Sequence, residues 1–140
     1  MPLLDAYLFF DGNCAEAMRF YEHTLGGHIE MMLTYGESPM AAQTPPEAAG
    51  RIMHASLILL DRRLMGSDAM LGQPYEAMQG FAMSLNYKTV EEAQPVFDAL
   101  AAGGRVTMPL QKTFWSDAFG MLVDRFGTPW MFNTDPVAAA

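Results

Sequence analysis

Cysteine is nearly absent from this chain: one residue in 140. That excludes an internal disulfide and fits a reducing, cytoplasmic compartment. Charge is also scarce, at 17% of residues against 51% hydrophobic. A chain so apolar can bury a sizeable core, which argues against disorder. Only eight Lys and Arg stand against sixteen Asp and Glu, for a net charge of −8. Nucleic acids and anionic membranes attract basic patches, so neither is an expected partner. No apolar run approaches the roughly 20 residues of a membrane span. The start, MPLLDAYLFF, lacks a basic region and carries Asp5, unlike a signal peptide. No glycine-rich nucleotide loop follows a first strand, so nothing supports a nucleotide or methyl-donor site. The three histidines, His23, His28 and His54, show no H-x-H or H-x-x-x-H spacing. A histidine metal cluster is therefore unsupported.

What the chain does have is an internal repeat. GNCAEAMRFYEHTLGGHIEM at 12–31 parallels KTVEEAQPVFDALAAGGRVTM at 88–108. At an offset of 76, Glu16-Ala17 aligns with Glu92-Ala93; at 77, Gly26-Gly27 aligns with Gly103-Gly104. Each half then carries an apolar hairpin with Asp-Arg, LILLDRRLMG at 57–66 and MLVDRFGTPWMF at 121–132. Such a repeat restricts the fold more than any single residue does.

Each half reads as β-α-β-β-β. Strands are expected at 7–10, 28–35, 51–60 and 63–67, then at 81–87, 105–113, 117–124 and 128–133. Helices are expected over 13–25 and 89–102. Asn13 with Glu16, and Thr89 with Glu92, have capping-box spacing. Gly-Gly ends each helix. Pro95 is expected to kink the second helix or weaken its first turns. Residues 36–50, rich in Pro and Ala, read as a loop long enough to act as a lid. The fold class is α+β: two modules, 1–68 and 79–135, joined by 69–78, with curved mixed sheets around a cavity in one domain.

Several residues are candidates for chemistry. His54 starts a core strand and suits an acid–base or ligand-orienting role, or a hydrogen-bonded structural one. Cys14 at a helix start is either a thiol activated by the helix dipole or plain packing. Trp115, Asp117 and Phe119, with Trp130 and Asn133 nearby in the repeat, suit a pocket for a partly apolar molecule, or a core cluster with an indole N–H held by Asp117. Thirteen methionines suit core filling or an adaptable site.

The segments YLFFDGNCAEAMRFYEHTLGG at 7–27, HASLILLDRRLMGSD at 54–68 and FWSDAFGMLVDRFGTPWMFN at 114–133 resemble the vicinal oxygen chelate superfamily. That superfamily includes glyoxalase I, extradiol dioxygenases and bleomycin-resistance proteins. Within it the chain resembles the PhnB-like branch, whose members sometimes carry a demethylubiquinone methyltransferase label. Metal-dependent relatives place ligands on the first and last strand of each module. The resemblance puts those positions at Ala6, Met65, Phe81 and Met131. These side chains cannot hold a hard or borderline cation, so no metal and no cofactor are expected. The leading functional expectation is metal-free binding of a small molecule, lined by Leu8, Phe10, His54, Ser67, Trp115, Asp117 and Trp130. A metal-independent enzyme (lyase, isomerase or transferase) with His54 or Asp117 as acid–base is the alternative. A structural dimer with a filled cavity is a third. The resemblance also implies a homodimer.

Overall fold

A computed structural model describes residues 2–134 of the chain. Met1 and residue 135 of the expected modules lie outside these residues. The chain divides into two compact units, Met1–Glu76 and Ala77–Ala140.

The first unit holds β1 (Ala6–Phe10), α1 (Cys14–Leu25), β2 (His28–Thr34), β3 (Ile52–Leu59) and β4 (Arg62–Asp68). Its four strands form one sheet in the order β1-β4-β3-β2. β1 runs parallel to β4, and the other pairs are antiparallel. The second unit repeats the plan with β5 (Met83–Tyr87), α2 (Val90–Ala101), β6 (Arg105–Gln111), β7 (Phe119–Val123) and β8 (Pro129–Thr134). Its sheet has the order β5-β8-β7-β6, with β5 parallel to β8. Each unit is thus the expected β-α-β-β-β module, and neither sheet closes on itself.

The helices form where the apolar spacing requires. α1 buries Cys14, Ala17, Met18 and Tyr21, one face at i, i+3, i+4 and i+7. α2 buries Ala93, Phe97 and Leu100 and runs unbroken through Pro95. The Gly-Gly pair does two separate jobs. Gly26 takes φ +80 and Gly103 φ +78, the left-handed region where a Cβ is penalised. A Cβ on Gly27 would lie 2.7 Å from the Ile58 carbonyl oxygen, and one on Gly104 would collide with that of Val123. The second glycine therefore lets each helix exit pass close to a strand.

Helix capping differs from the expectation. Asn13 makes no side-chain cap bond. Asp68, from the end of β4, caps α1 instead: its Oδ1 accepts from the N–H of Gly12 at 2.8 Å and of Cys14 at 3.0 Å. Its Oδ2 accepts from Ile52 N–H at 2.8 Å. A carboxylate outcompetes a neutral amide for these donors. Thr89 does cap α2, accepting from Glu92 N–H at 3.2 Å.

The 36–50 segment is not an open loop. It folds into short 3-10 turns at Tyr35–Glu37, Ala41–Gln43 and Pro46–Ala48. A reciprocal Thr34–Glu37 capping box starts it. Buried Tyr35 ties it down by donating its hydroxyl to the Asp68 carbonyl at 3.2 Å. A pocket of about 70 Å³ lies beneath it, between Tyr35, Met40, Pro45, Met70 and Leu71.

Candidate functional site

Each sheet has one face covered by its own helix and one face turned away from it. Strand side chains alternate between faces, so register decides which residues are available. In the first sheet, Leu8, Phe10, Ala55, Leu57 and Leu64 are buried on the helix side. A Cβ on Gly66 would meet the Phe10 ring at 3.2 Å and the Cys14 sulfur at 3.5 Å, which fixes that side as the core. The opposite face therefore carries Tyr7 and Phe9 from β1, Met65 and Ser67 from β4, and His54 and Ser56 from β3.

These residues form a connected group. The Tyr7 hydroxyl lies 3.1 Å from His54 Nδ1. The Tyr7 and His54 rings stack at 5.6 Å, and Tyr7 contacts the Phe9 ring at 5.1 Å. His54 is thereby oriented through Nδ1 by a neighbouring hydroxyl. Beside it, Glu30 accepts from Arg63 Nε at 2.7 Å and from the Ser56 hydroxyl at 2.8 Å. Those hydrogen bonds, Arg63 first and Ser56 second, hold the Glu30 carboxyl below its ordinary range. A depressed carboxylate favours the folded state above its unfolded value, and that benefit disappears as pH falls through the folded one. Arg63→Ala should return Glu30 toward an ordinary carboxylate titration, as followed by NMR of its side-chain carbon.

In the second sheet the helix side holds Leu85, Tyr87, Leu122, Trp130 and Phe132. Tyr87 stacks on Phe132 at 5.8 Å, and Phe97 of α2 meets Phe132 edge-on at 5.1 Å. The other face carries two rows across the strands. One is Asn86, Asn133, Phe119 and Gln111; the other is Ser84, Met131, Met121 and Met108. The Trp115 ring meets Phe119 edge-on at 5.3 Å.

The expected pocket residues thus separate. His54 and Ser67 lie together on the open face of the first sheet. Leu8 and Phe10 point the other way, into the core beneath α1, where Phe10 is fully buried. Trp130 is likewise a core residue, and its indole N–H goes to Asp124 Oδ2 at 2.8 Å, not to Asp117. Trp115 and Asp117 share no strand face, because β7 begins only at Phe119. A hydroxyl knot causes this: Ser116 donates to Ala118 and Thr134 carbonyls, and Ala118 N–H donates to Thr134 Oγ1. Residues 113–118 become a turn that leaves Trp115 exposed. Asn133 is among the expected pocket group, whereas Tyr7, Phe9 and Asn86 are residues the sequence does not single out. The only sequence signal for them was strand alternation, which does not say which face the helix takes.

Cys14 is not an activated thiol. Burial, with a smaller push from the Asp68 carboxylate, raises it to about 12. Cys14 should resist alkylation at pH 8 in the folded protein and react once urea unfolds it. Labelling in the native state at the unfolded rate would contradict this. His23 and His28 are exposed.

A family described as 3-demethylubiquinone-9 3-methyltransferase matches residues 4–132. The chain belongs to this family, the PhnB-like branch of the vicinal oxygen chelate fold. It is 38% identical to the protein YjdN of Escherichia coli (strain K12), over 95% of each chain. The crystal structure of PA1353 from Pseudomonas aeruginosa is 44% identical, with a TM-score of 0.89 over 96% of this chain and 98% of that one. A putative 3-demethylubiquinone-9 3-methyltransferase, the PhnB protein of Bacillus cereus, is 26% identical, with a TM-score of 0.80 over 95% and 99%. At 13% identity, where the fold alone is shared, a glyoxylase/bleomycin resistance protein/dioxygenase domain from Frankia sp. EAN1pec gives a TM-score of 0.68 over 96% and 98%.

The metal implied by this fold meets an unsuitable donor set in this PhnB-like chain. Of the four expected positions, Met65 and Met131 do face away from the helices. Ala6 faces the helix side with Leu8, and Phe81 precedes β5. The open-face residues paired with the two methionines are Tyr7 and Ser84. Each sheet thus offers one thioether and one neutral hydroxyl at these positions, poor ligands for a hard or borderline cation. Among the described residues, no three His, Cys, Asp or Glu come together. The family description also implies a methyl donor. Neither β-α turn, Asp11-Gly12-Asn13 nor Lys88-Thr89, has the glycine-rich form of a nucleotide cradle. Among the described residues no helix is long and apolar enough to cross a membrane.

Proposed function

We propose that this PhnB-like protein binds a small, partly apolar organic molecule without recruiting a metal. The observation that carries the reading is the Tyr7–Phe9–His54 group on the face away from α1. It combines aromatic surface with one oriented imidazole, the mix a small-molecule site needs. The buried hydroxyl-bearing residue Ser67, paired with Phe9 across the sheet, adds a polar group to that face. The protein works in the cytoplasm as a homodimer. The lone cysteine supports the compartment. The edge strand β6, with exposed Val106 and Met108, supports pairing with a second copy.

A second reading is favoured by one distance. Tyr7 held 3.1 Å from His54 suits a metal-independent enzyme in which His54 moves a proton. Asp117, half-buried in the 113–118 turn, is the other acid–base candidate.

Native mass spectrometry with metal analysis of the purified protein tests the proposal. The expected result is a dimer, a retained small molecule, and no metal near one per chain. Once a ligand is in hand, His54→Ala and Phe9→Ala should each weaken it by about 1–3 kcal/mol and leave the fold intact. A tightly held stoichiometric metal, or normal binding by both variants, would sink the reading.

A further inference from the structure

We propose that the open face of the second sheet recognises a neutral cyclic amide or imide, a flat ring carrying N–H beside C=O. This rests on the reading that the protein binds a small organic molecule, and adds a second surface to the Tyr7–Phe9–His54 face of the first sheet. Asn86, Asn133, Phe119 and Gln111 sit opposite one another in a row across four adjacent strands. Three carboxamides on one line flank a single aromatic ring. A carboxamide both donates and accepts, so its best complement is another amide group with the two functions side by side.

The decisive atom is Asn133 Oδ1. It is buried and has no hydrogen-bond partner. A buried acceptor left unpaired is costly, and native proteins rarely leave one without a reason. The second such atom among the described residues, Thr113 Oγ1, lies two residues beyond Gln111 in the same unit. A ligand that supplies an N–H group would satisfy Asn133 Oδ1. Phe119, with Trp115 edge-on against it, offers an aromatic wall for a flat ring. Neutrality follows from the surroundings. The neighbouring row is Ser84, Met131, Met121 and Met108, so neither row contains a charged side chain.

Uracil is the probe, titrated by calorimetry, with benzoate as a flat, anionic control that lacks an N–H. Wild-type protein should bind uracil with a millimolar or tighter Kd and ignore benzoate. Asn133→Leu, close in volume, should weaken uracil about tenfold or more. The ligand-free Tm of that variant should stay level or rise, since it removes an unpaired buried polar atom. Gln111→Leu, on the exposed edge strand, should weaken uracil severalfold at unchanged Tm, and it serves if Asn133→Leu does not fold. The proposal is overturned if wild type fails to bind uracil, if both variants bind it normally, or if benzoate binds as well. A retained small molecule in native mass spectrometry alongside failed uracil binding would overturn the amide class alone. The absence of both would take the general binding reading down with it.

Discussion

Asp68→Ala is expected to lower the unfolding free energy by about 3–5 kcal/mol, a large share of the 5–15 kcal/mol typical of a domain. Asp68 is only 2% exposed. Its two oxygens accept three backbone N–H groups, from Gly12, Cys14 and Ile52. Alanine leaves all three donors unpaired in a buried place, and each orphan carries a desolvation penalty. The same carboxylate ties the end of β4 to the start of α1 and the start of β3. Its loss should therefore also disturb His54, two residues into β3. Urea denaturation gives the free energy, and the Tyr7–His54 contact can be followed through the imidazole NMR signals. Asp68→Asn keeps one acceptor oxygen and should recover part of the loss. A change under about 1 kcal/mol for Asp68→Ala would mean that water replaces the carboxylate without cost.

Asp124→Ala should be the second large effect, about 3 kcal/mol by the same reasoning. Asp124 Oδ1 accepts from Phe126 N–H at 2.8 Å and Thr128 N–H at 3.0 Å, closing the turn in which Gly127 takes φ +92. Its Oδ2 holds the Trp130 indole. The variant loses the turn geometry and strands a buried indole N–H in one step. Equilibrium unfolding measures the cost, and the Trp130 indole proton should shift in the NMR spectrum. An unshifted indole with full stability would refute the assignment. Asp124→Asn should fall between the two, because an amide oxygen can serve only part of the set.

The two aspartates show how much could be read in advance. The Asp-Arg pairs at 61–62 and 124–125 were visible as repeated hairpin features. Only Asp124 became a structural hub, while Asp61 is exposed. The first module puts its buried carboxylate at Asp68 instead. The corresponding strand end in the second module is Thr134, whose hydroxyl accepts from Ala118 N–H as Asp68 accepts from Ile52 N–H. Unlike residue types meet the same backbone need, and a repeat search that compares letters passes over the match. The Thr34–Glu37 capping box was readable too, and would have predicted order in the 36–50 segment.

By itself the sequence determined the module plan. The i, i+3, i+4 stripes, the Gly-Gly exits and the alternating strands are local patterns, and local patterns set element type and order. It also bounded the chemistry, since scattered histidines and few charges already spoke against a metal cluster. What only the tertiary structure decided was the face of each strand. In β1, Leu8 and Phe10 are as apolar as Tyr7 and Phe9, so hydrophobicity alone does not say which pair lies under α1. A shift of one residue exchanges the two faces completely. That is why the expected lining of Leu8, Phe10 and Trp130 became core, while Tyr7 and Phe9 joined His54. Register is set by strand pairing and helix docking across long stretches of chain, and those contacts leave no periodic mark in the sequence.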